Sequence, residues 1–230
     1  MNHPGAGSDP GATDDPAGDP DAVGDEGATP DLAVGAGPHP LPWPDDPRLD
    51  PDLLAGGDRR NVVDRYRYWR TEAIVADLDT RRHAFAVAIE NWQHDLNIGT
   101  VVRTANAFLA REVIVVGRRR WNRRGAMVTD RYQHLTHVPD VDGLLALAAQ
   151  RGYVIVGIDN LPGAVPLEGY RLPRAALLLF GQESVGLSPA ARQACTAVCS
   201  IAQFGSTRSI NAGVAAGIAM HSWIRAHGLR

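Results

Sequence analysis

The stretch Ser200–His221 reads SIAQFGSTRSINAGVAAGIAMH. A short apolar run leads into a polar loop rich in glycine and hydroxyl side chains, and then into a helical segment built largely of small residues. Ser209 and Asn211 lie two residues apart where that helix begins. Taken alone, Ser209 is interpreted as a helix N-cap, because its hydroxyl accepts hydrogen bonds from helix amides. A cap does not explain the small residues that follow, which allow another backbone or a ligand to come close.

Upstream of this stretch, apolar runs alternate with segments of helical periodicity. The runs are continuous, which is typical of parallel strands covered on both faces. The sequence therefore predicts an α/β fold, with a mostly parallel sheet and helices on both faces. The predicted strands are 84–90, 112–117, 153–159, 175–181 and 197–202, and the predicted helices are 61–82, 98–109, 142–152, 188–195 and 210–227.

The charge is unevenly distributed along the chain. Residues 1–47 contain ten of the 26 acidic residues and no arginine, so they are predicted to form a disordered acidic tail. Residues 48–83 are predicted to be a linker and an amphipathic helix, and residues 84–230 the main domain. All 23 cationic residues are arginines that follow residue 47, which leaves residues 48–230 with a net charge of about +7. Such a basic domain is compatible with nucleic acid.

Several classes of protein lack their signatures here. No apolar run reaches the roughly 18 to 20 residues that span a bilayer, and no signal peptide is visible, so a cytoplasmic protein without membrane contact is expected. The eight histidines and two cysteines show no metal-ligand spacing, so no metal is expected. The glycine-rich loops of dinucleotide enzymes and P-loop NTPases, and the motifs of serine hydrolases and zincins, are also missing.

Ligands of parallel α/β sheets bind beyond the carboxyl ends of the strands, and polar residues collect there. In NIGTVVRTANAF (97–108), Asn97 and Arg103 lie about 120° and roughly 9 Å apart on a helix. The apolar neighbours make Arg103 costly to bury unless it meets an anion. In LLLFGQESVGLS (177–188), Glu183 follows a strand end; it is either a loop acid or a functional one.

A cluster of arginines follows the second predicted strand, in GRRRWNRRG (117–125). Such a run is either a solvated face or a surface for nucleic acid, where arginines contact phosphates and an aromatic ring stacks on a base. Its position at the carboxyl edge of the sheet favours nucleic acid. The candidate RNA-binding residues are Arg118, Arg119, Arg120, Trp121, Arg123 and Arg124.

Together, the segments starting at Asn97, Leu177 and Ile201 resemble, in order and spacing, the three motifs of the SpoU (TrmH) family, which belongs to the SPOUT superfamily of RNA methyltransferases. The resemblance covers residues 84–227. It implies a C-terminal trefoil knot that holds S-adenosylmethionine, a homodimer, and methyl transfer to the 2'-hydroxyl of a ribose in tRNA or rRNA. The alternative is a noncatalytic RNA-binding protein that retains the fold.

The resemblance also implies roles for individual residues. The implied catalytic residues are Asn97, Arg103, Glu183, Ser209 and Asn211, and the implied cofactor-binding residues are Phe180, Gly181, Gly186, Ile201, Gln203 and Ile210. Two segments depart from the family's pattern. Ala202 and Gln203 stand where Pro and Met are common, and Asn211 is followed by Ala212 and Gly213 where Val and Ser are common. Without the proline the loop is expected to lose rigidity. Gln203 is expected to give the cofactor site a polar wall.

Overall fold

The computed structural model describes residues 35–91, 97–182 and 185–229. Within them, seven strands form one sheet in the order β3-β2-β1-β6-β4-β7-β5, and all neighbours are parallel. The strands are β1 (Ala86–Asn91), β2 (Val113–Gly117), β3 (Leu135–Val138), β4 (Val154–Ile158), β5 (Val165–Pro166), β6 (Ala176–Phe180) and β7 (Ala197–Ser200). The helices are α1 (Pro51–Gly56), α2 (Thr71–Asp79), α3 (Asn97–Ala107), α4 (Val141–Arg151), α5 (Pro189–Ala194) and α6 (Ala212–His227).

Helices cover both faces of the sheet, as predicted. One face packs against α3 and α6, where residues such as Val101 and Met220 join the side chains of alternate strand positions. The other face packs against α4 and α5 through residues such as Leu144 and Ala191. The fully buried central strands β1 and β6 explain the continuous apolar runs of the sequence, since both of their faces are covered. The α/β prediction is confirmed.

The five predicted strands and the four helices after residue 84 are present, with ends that differ by one or two residues. Two strands were not predicted. The strand β3, with the sequence LTHV, lies at the edge of the sheet, and its two central residues are polar, so it lacks the continuous apolar run that marks the central strands. The other, β5, is only two residues long and lies at the opposite edge.

The single helix predicted over 61–82 is wrong. A 3₁₀ turn at Asp64–Tyr66 is followed by α2, and Tyr68 between them adopts a φ of 64°, which a continuous helix does not allow. Tyr66 and Ile74 form a small core with Tyr132, a residue of the 3₁₀ helix Thr129–Tyr132. Of the apolar residues at helical spacing, Val62 and Trp69 pack against this core, whereas Ala76 is exposed.

The N-terminal segment also contains more structure than predicted. Ala36 and Asp58 exchange backbone hydrogen bonds of 2.9 and 2.8 Å, and α1 begins after the N-cap Asp50. The predicted disorder is therefore wrong for residues 35–47, while residues 1–34 lie outside the described residues. Asp58 stabilises this segment, because its fully buried carboxylate accepts hydrogen bonds from the Arg60 guanidinium and the Tyr68 amide.

No helix in the described ranges is long and apolar enough to cross a membrane. Within the same ranges, no cluster of three or more His, Cys, Asp or Glu side chains has the arrangement of a metal site. Burial raises the pKa of both thiols, Cys195 and Cys199, to about 11. Because the thiolate is the reactive form, these cysteines behave as small packing residues at neutral pH.

Candidate functional site

A cavity of about 470 Å³ opens at the carboxyl edge of the sheet. It lies among the ends of β4, β6 and β7 and the start of α6. Ser209 is part of its lining. All six residues that the sequence analysis assigned to the cofactor also line it, namely Phe180, Gly181, Gly186, Ile201, Gln203 and Ile210. The tertiary structure therefore brings together residues from three separate segments of the chain.

The loop after β6 folds back on itself tightly. The amide of Gln182 donates to the Gly186 carbonyl at 3.1 Å, and the amide of Gly186 donates to the Gln182 carbonyl at 2.8 Å. A Cβ atom on Gly181 would lie 2.0 Å from the Gly186 carbonyl carbon, and Gly186 has a φ of +68°. Both glycines are thus required by the turn itself. The candidate acid Glu183 lies outside the described residues.

The loop after β7 provides the opposite wall of the cavity. The amide of Ala202 donates a hydrogen bond of 2.9 Å to a carboxylate oxygen of Glu168. The side-chain oxygen of Gln203 is buried and has no hydrogen-bond partner among the described residues. A buried acceptor without a partner is costly, so this oxygen favours a ligand that brings a donor.

The start of α6 is capped by Asn211. Its Oδ1 accepts from the amides of Gly213 and Val214, and its side-chain amide donates to Oδ1 of Asn97 at 2.9 Å. The interpretation of Ser209 as the N-cap is therefore wrong by two residues. Asn211 connects the first residues of α3 and α6, while the exposed Ser209 lines the cavity.

Arg103 is exposed, so the cost of burial that its apolar neighbours suggested does not arise. On α3 the buried face consists of Ile98, Val101, Val102 and Ala105, and the arginine lies away from that face. Its guanidinium makes no hydrogen bond or ion pair within the described part of the chain. Arg103 is not part of the cavity wall. The structure thus leaves its charge available to a ligand or partner.

The small residues of α6 are explained by its contact with α3. A Cβ atom on Gly213 would lie 2.9 Å from the Thr100 side chain, and one on Gly217 would be 3.8 Å from the Thr104 side chain. Helices that cross this closely require small side chains at the contact. The glycines therefore let α6 pack closely on α3, while Ala212 and Ala215 of the same helix line the cavity.

The arginine segment, residues 118–124, is held in place by its backbone. The side-chain amide of Asn91, at the end of β1, donates to the carbonyls of Arg118 and Arg120 at 2.6 and 2.9 Å. Gly125 packs so closely on Gly99 of α3 that a Cβ on Gly99 would lie 2.7 Å from the Gly125 Cα. All five arginine side chains are exposed, namely Arg118, Arg119, Arg120, Arg123 and Arg124.

Trp121 differs from the arginines around it. Its ring is half-buried and packs on the main core, and the Arg123 guanidinium lies 5.6 Å from its centre. Part of the surface expected to stack on a base is thus used for packing. The ring anchors the segment that presents the arginines.

Three functional candidates were missed by the sequence analysis. Glu90, fully buried at the end of β1, accepts a hydrogen bond of 2.8 Å from the Ser188 amide. Asp159 accepts one of 2.8 Å from the Leu187 amide, and Asn160 lies beside it in the cavity wall. The available signal was their position, since Glu90 and Asp159 end predicted strands at the edge where ligands bind.

The fold and the cavity define a parallel α/β protein with a small-molecule site at the carboxyl edge of its sheet. The model of the SpoU rRNA Methylase family matches residues 84–221. The chain belongs to this family. A relative from Mycolicibacterium smegmatis, described as an uncharacterized tRNA/rRNA methyltransferase, is 30% identical over 142 residues, which are 60% of this chain and 45% of the relative. The chain spans about half the length of the curated relatives it matches.

Solved structures share the fold. The SpoU methyltransferase AviRb from Streptomyces viridochromogenes, in complex with the cofactor AdoMet, matches with a TM-score of 0.56 and 27% identity over 65% of this chain and 60% of that one. The A. aeolicus TrmH/SpoU tRNA modifying enzyme matches with a TM-score of 0.61 and 21% identity, over 69% of this chain and 83% of that one. The second likeness concerns the fold alone.

Proposed function

We propose that this protein is an RNA methyltransferase that uses S-adenosylmethionine to methylate a ribose 2'-hydroxyl in tRNA or rRNA. The observation that carries the proposal is the cavity at the carboxyl edge, whose wall contains all six residues assigned to the cofactor. Membership of the SpoU family supports methyl transfer to RNA. AviRb, which resembles this chain, binds AdoMet. The 2'-hydroxyl as target rests on the resemblance of the three motifs.

The cavity fits the proposed cofactor in size and chemistry. Its volume of about 470 Å³ lies within the range of roughly 300 to 1,000 Å³ that is usual for small-molecule sites. Phe180, Ile201 and Ile210 give it apolar walls suited to an adenine ring. The unpaired oxygen of Gln203 supplies an acceptor for an amino group of the cofactor. Bound S-adenosylmethionine supplies an activated methyl group.

Arg103 is assigned the role of a phosphate clamp. A guanidinium stays protonated at neutral pH and is therefore a poor base. It is well suited to hold the phosphate next to the reacting ribose and to lower the pKa of the 2'-hydroxyl, whose proton leaves to phosphate or water. The exposed position of Arg103, without a partner in the described ranges, supports this role.

The polar residues at the starts of α3 and α6 are proposed to orient the reactants. Ser209 lies in the cavity wall, where its hydroxyl is available to the cofactor or the ribose. Asn97 and Asn211 bond to each other and hold the starts of α3 and α6 together, so they act as positioning residues. Such positioning supplies much of the rate in a simple displacement.

The arginine segment is proposed to bind the sugar-phosphate backbone of the RNA. Gly125, directly after the segment, packs on Gly99 in the first turn of α3, the helix that carries Arg103, and the five arginines before it are exposed. Among the described residues, the segment's arginines make a single ion pair, that of Arg123 with Asp130 at 3.2 Å, so most of the charge is uncompensated. RNA phosphates bound along this segment would replace the counterions of the exposed arginines.

We also propose that the chain forms the trefoil knot of the SPOUT fold. After β7, the chain contacts the segment that follows β4. The Ala202 amide donates to Glu168, and the Arg208 carbonyl accepts from the side chain of Asn160. These contacts place Ala202 and Arg208 against that segment, while the threading itself rests on the resemblance of the three motifs. An experimental structure traced through residues 159–212 tests the knot.

A homodimer is proposed through the outer face of α6. Val214 and Ile218 are exposed there, with 54% and 38% of their surface accessible, and the ring of Phe204 nearby in sequence is 97% exposed. Apolar side chains grouped on an unpaired helix face are typical of interfaces. Light scattering during size-exclusion chromatography tests this: a mass of twice 24.7 kDa is expected, and a monomer at micromolar concentration contradicts it.

The activity is tested with purified protein, S-adenosylmethionine that carries a labelled methyl group, and separate preparations of unmodified tRNA and rRNA. We expect label in one RNA class, at a nucleotide whose 3'-phosphodiester becomes resistant to alkali. Label that leaves the alkali sensitivity unchanged indicates base methylation and contradicts the 2'-hydroxyl assignment. RNA binding without cofactor binding in calorimetry supports the noncatalytic alternative.

A further inference from the structure

The carboxyl end of β4 lies between the two walls of the cavity. In the sheet, β4 has β6 on one side and β7 on the other. The loop that follows β6 forms one wall, and the loop that follows β7 forms the other. Asp159 and Asn160 come directly after β4 and line the cavity themselves. Two neighbouring residues are therefore in a position to contact both walls.

Asp159 contacts the wall that follows β6. Its Oδ2 accepts a hydrogen bond of 2.8 Å from the backbone amide of Leu187, and its Oδ1 accepts one of 2.7 Å from the backbone amide of Asn160. A Cβ on Gly186 would lie 2.4 Å from Oδ2, so the glycine permits this close approach. The carboxylate thus fixes the end of the turn formed by Gly181 and Gly186.

Asn160 contacts the wall that follows β7. Its side-chain amide donates a hydrogen bond of 3.1 Å to the carbonyl of Arg208. Arg208 and the next residue, Ser209, both line the cavity. The asparagine is exposed, so this bond contributes little to the stability of the core. It does restrict where the second wall lies relative to the first.

We propose that Asp159 and Asn160 form a positioning pair that ties the two walls of the cofactor cavity to each other. The proposal deepens the proposed function and rests on it, because the ligand is S-adenosylmethionine. When the hydrogen bond of Asp159 to Leu187 or that of Asn160 to Arg208 is removed, the two walls sample more conformations. The arrangement of the walls that binds the cofactor is then less populated. The apparent dissociation constant rises in proportion to that loss.

The first test is Asn160→Asp, which keeps the shape of the side chain and removes its donor. We expect the dissociation constant for S-adenosylmethionine, measured by calorimetry, to rise about tenfold. The KM for the cofactor rises with it, while kcat and the affinity for RNA change less than about twofold. Asn160→Ala, which adds no charge, is expected to give the same rise. Gln150→Glu, an equal charge change on the exposed side of α4, serves as the control.

The second test is Asp159→Asn, with Asp142→Asn on α4 as its matched control. An amide offers one acceptor oxygen where the carboxylate offers two, so one of the two amides loses its partner. We expect weaker cofactor binding than in the control. A lower melting temperature with an unchanged dissociation constant overturns the proposal, since it shows a structural role only. An equal loss of RNA affinity overturns it too.

The two proposals fail in different ways. If the unmodified protein does not bind S-adenosylmethionine, the proposed function is wrong, and the positioning pair falls with it. If the unmodified protein binds the cofactor and both Asn160 variants bind it equally well, the cofactor site stands and the positioning pair is wrong.

Discussion

The side-chain amide of Asn211 donates a hydrogen bond of 2.9 Å to Oδ1 of Asn97, although 114 residues separate them in the sequence. The oxygen of the same Asn211 side chain caps α6. One residue thus fixes the start of α6 and joins it to the start of α3. Because α6 begins at the cavity and α3 carries Arg103, this contact helps to set where the cavity lies relative to Arg103.

Replacement of Asn211 separates its two contributions. Asn211→Ala removes the cap and the bond to Asn97, and we expect a loss of about 1 to 3 kcal/mol in the free energy of unfolding. Asn211→Asp keeps an oxygen for the cap but removes the donor, so it is expected to lose less. Urea denaturation measures both. Equal losses in the two variants would show that the cap contributes nothing beyond the bond to Asn97.

Arg103→Ala is expected to abolish methyl transfer and to leave cofactor binding nearly intact. The exposed side chain has no partner in the described residues, so the melting temperature is expected to change little. Methyl-transfer assays and calorimetry measure the two effects, with Arg111→Ala as a control at another exposed arginine. If Arg103→Ala retains more than about a tenth of the methyl-transfer rate, the proposed role of Arg103 in catalysis is wrong.

Neutralisation of the arginine segment tests its contact with phosphates. A variant with Arg118, Arg119 and Arg120 changed to alanine is expected to bind RNA more weakly. The slope of log affinity against log salt is expected to fall by roughly 0.7 to 0.9 for each phosphate that the variant no longer neutralises. The control changes three exposed arginines elsewhere in the chain, Arg111, Arg171 and Arg174.

Binding titrations over a series of salt concentrations give the slope for each protein. An unchanged slope in the first variant refutes phosphate contact at residues 118–120. If the slope falls equally in the control variant, the net charge of the protein, rather than this segment, determines the affinity for RNA.

The hydrogen bond from Ala202 to Glu168 is expected to replace the rigidity that a proline provides in the family's pattern. Glu168→Ala removes the acceptor, and we expect the dissociation constant for the cofactor to rise about two- to tenfold. Ala202→Pro removes the donor and restricts the loop by itself. In that background Glu168→Ala is expected to have no further effect. Calorimetry measures the dissociation constant for the unmodified protein, the two single variants and the double variant. If the two substitutions change the binding free energy additively, the contact between Ala202 and Glu168 does not affect cofactor binding.

The N-terminal segment is expected to lose stability in acid through Asp58. Burial acts to raise the pKa of this carboxyl, but hydrogen bonds from Arg60 and from the Tyr68 amide outweigh it and lower the pKa to about 2. The contribution is fully present above the unfolded pKa of about 4 and is lost as the pH falls towards 2. Asp58→Asn is expected to lower stability at pH 7 and to flatten this acid dependence.

Thermal unfolding between pH 7 and pH 2 measures that dependence in both proteins. Asp52→Asn, at an exposed acid in α1, is the control. If the melting temperature of Asp58→Asn depends on pH as that of the unmodified protein does, the Asp58 carboxylate contributes little to the stability of residues 35–70.

The apolar pattern of the sequence was sufficient to predict the fold class, because buried parallel strands require continuous apolar runs. The second and third motifs were likewise sufficient to select six residues that the structure places around one cavity. The fold class and the cavity residues could be predicted because each depends on a single helix or strand, where the sequence itself shows the periodicity and the position of the strand end. The roles of these residues stay predictions, and Glu183 lies outside the described residues.

Only the tertiary structure decided which residues meet across elements. It placed the cap of α6 on Asn211 instead of Ser209, turned Arg103 to the surface, and used the glycines of α6 for packing on α3. It also placed Asp159 and Asn160 between two loops that come later in the chain. Periodicity records how much of an element is buried, whereas partners 28 to 114 residues apart are selected by packing, which no local pattern contains.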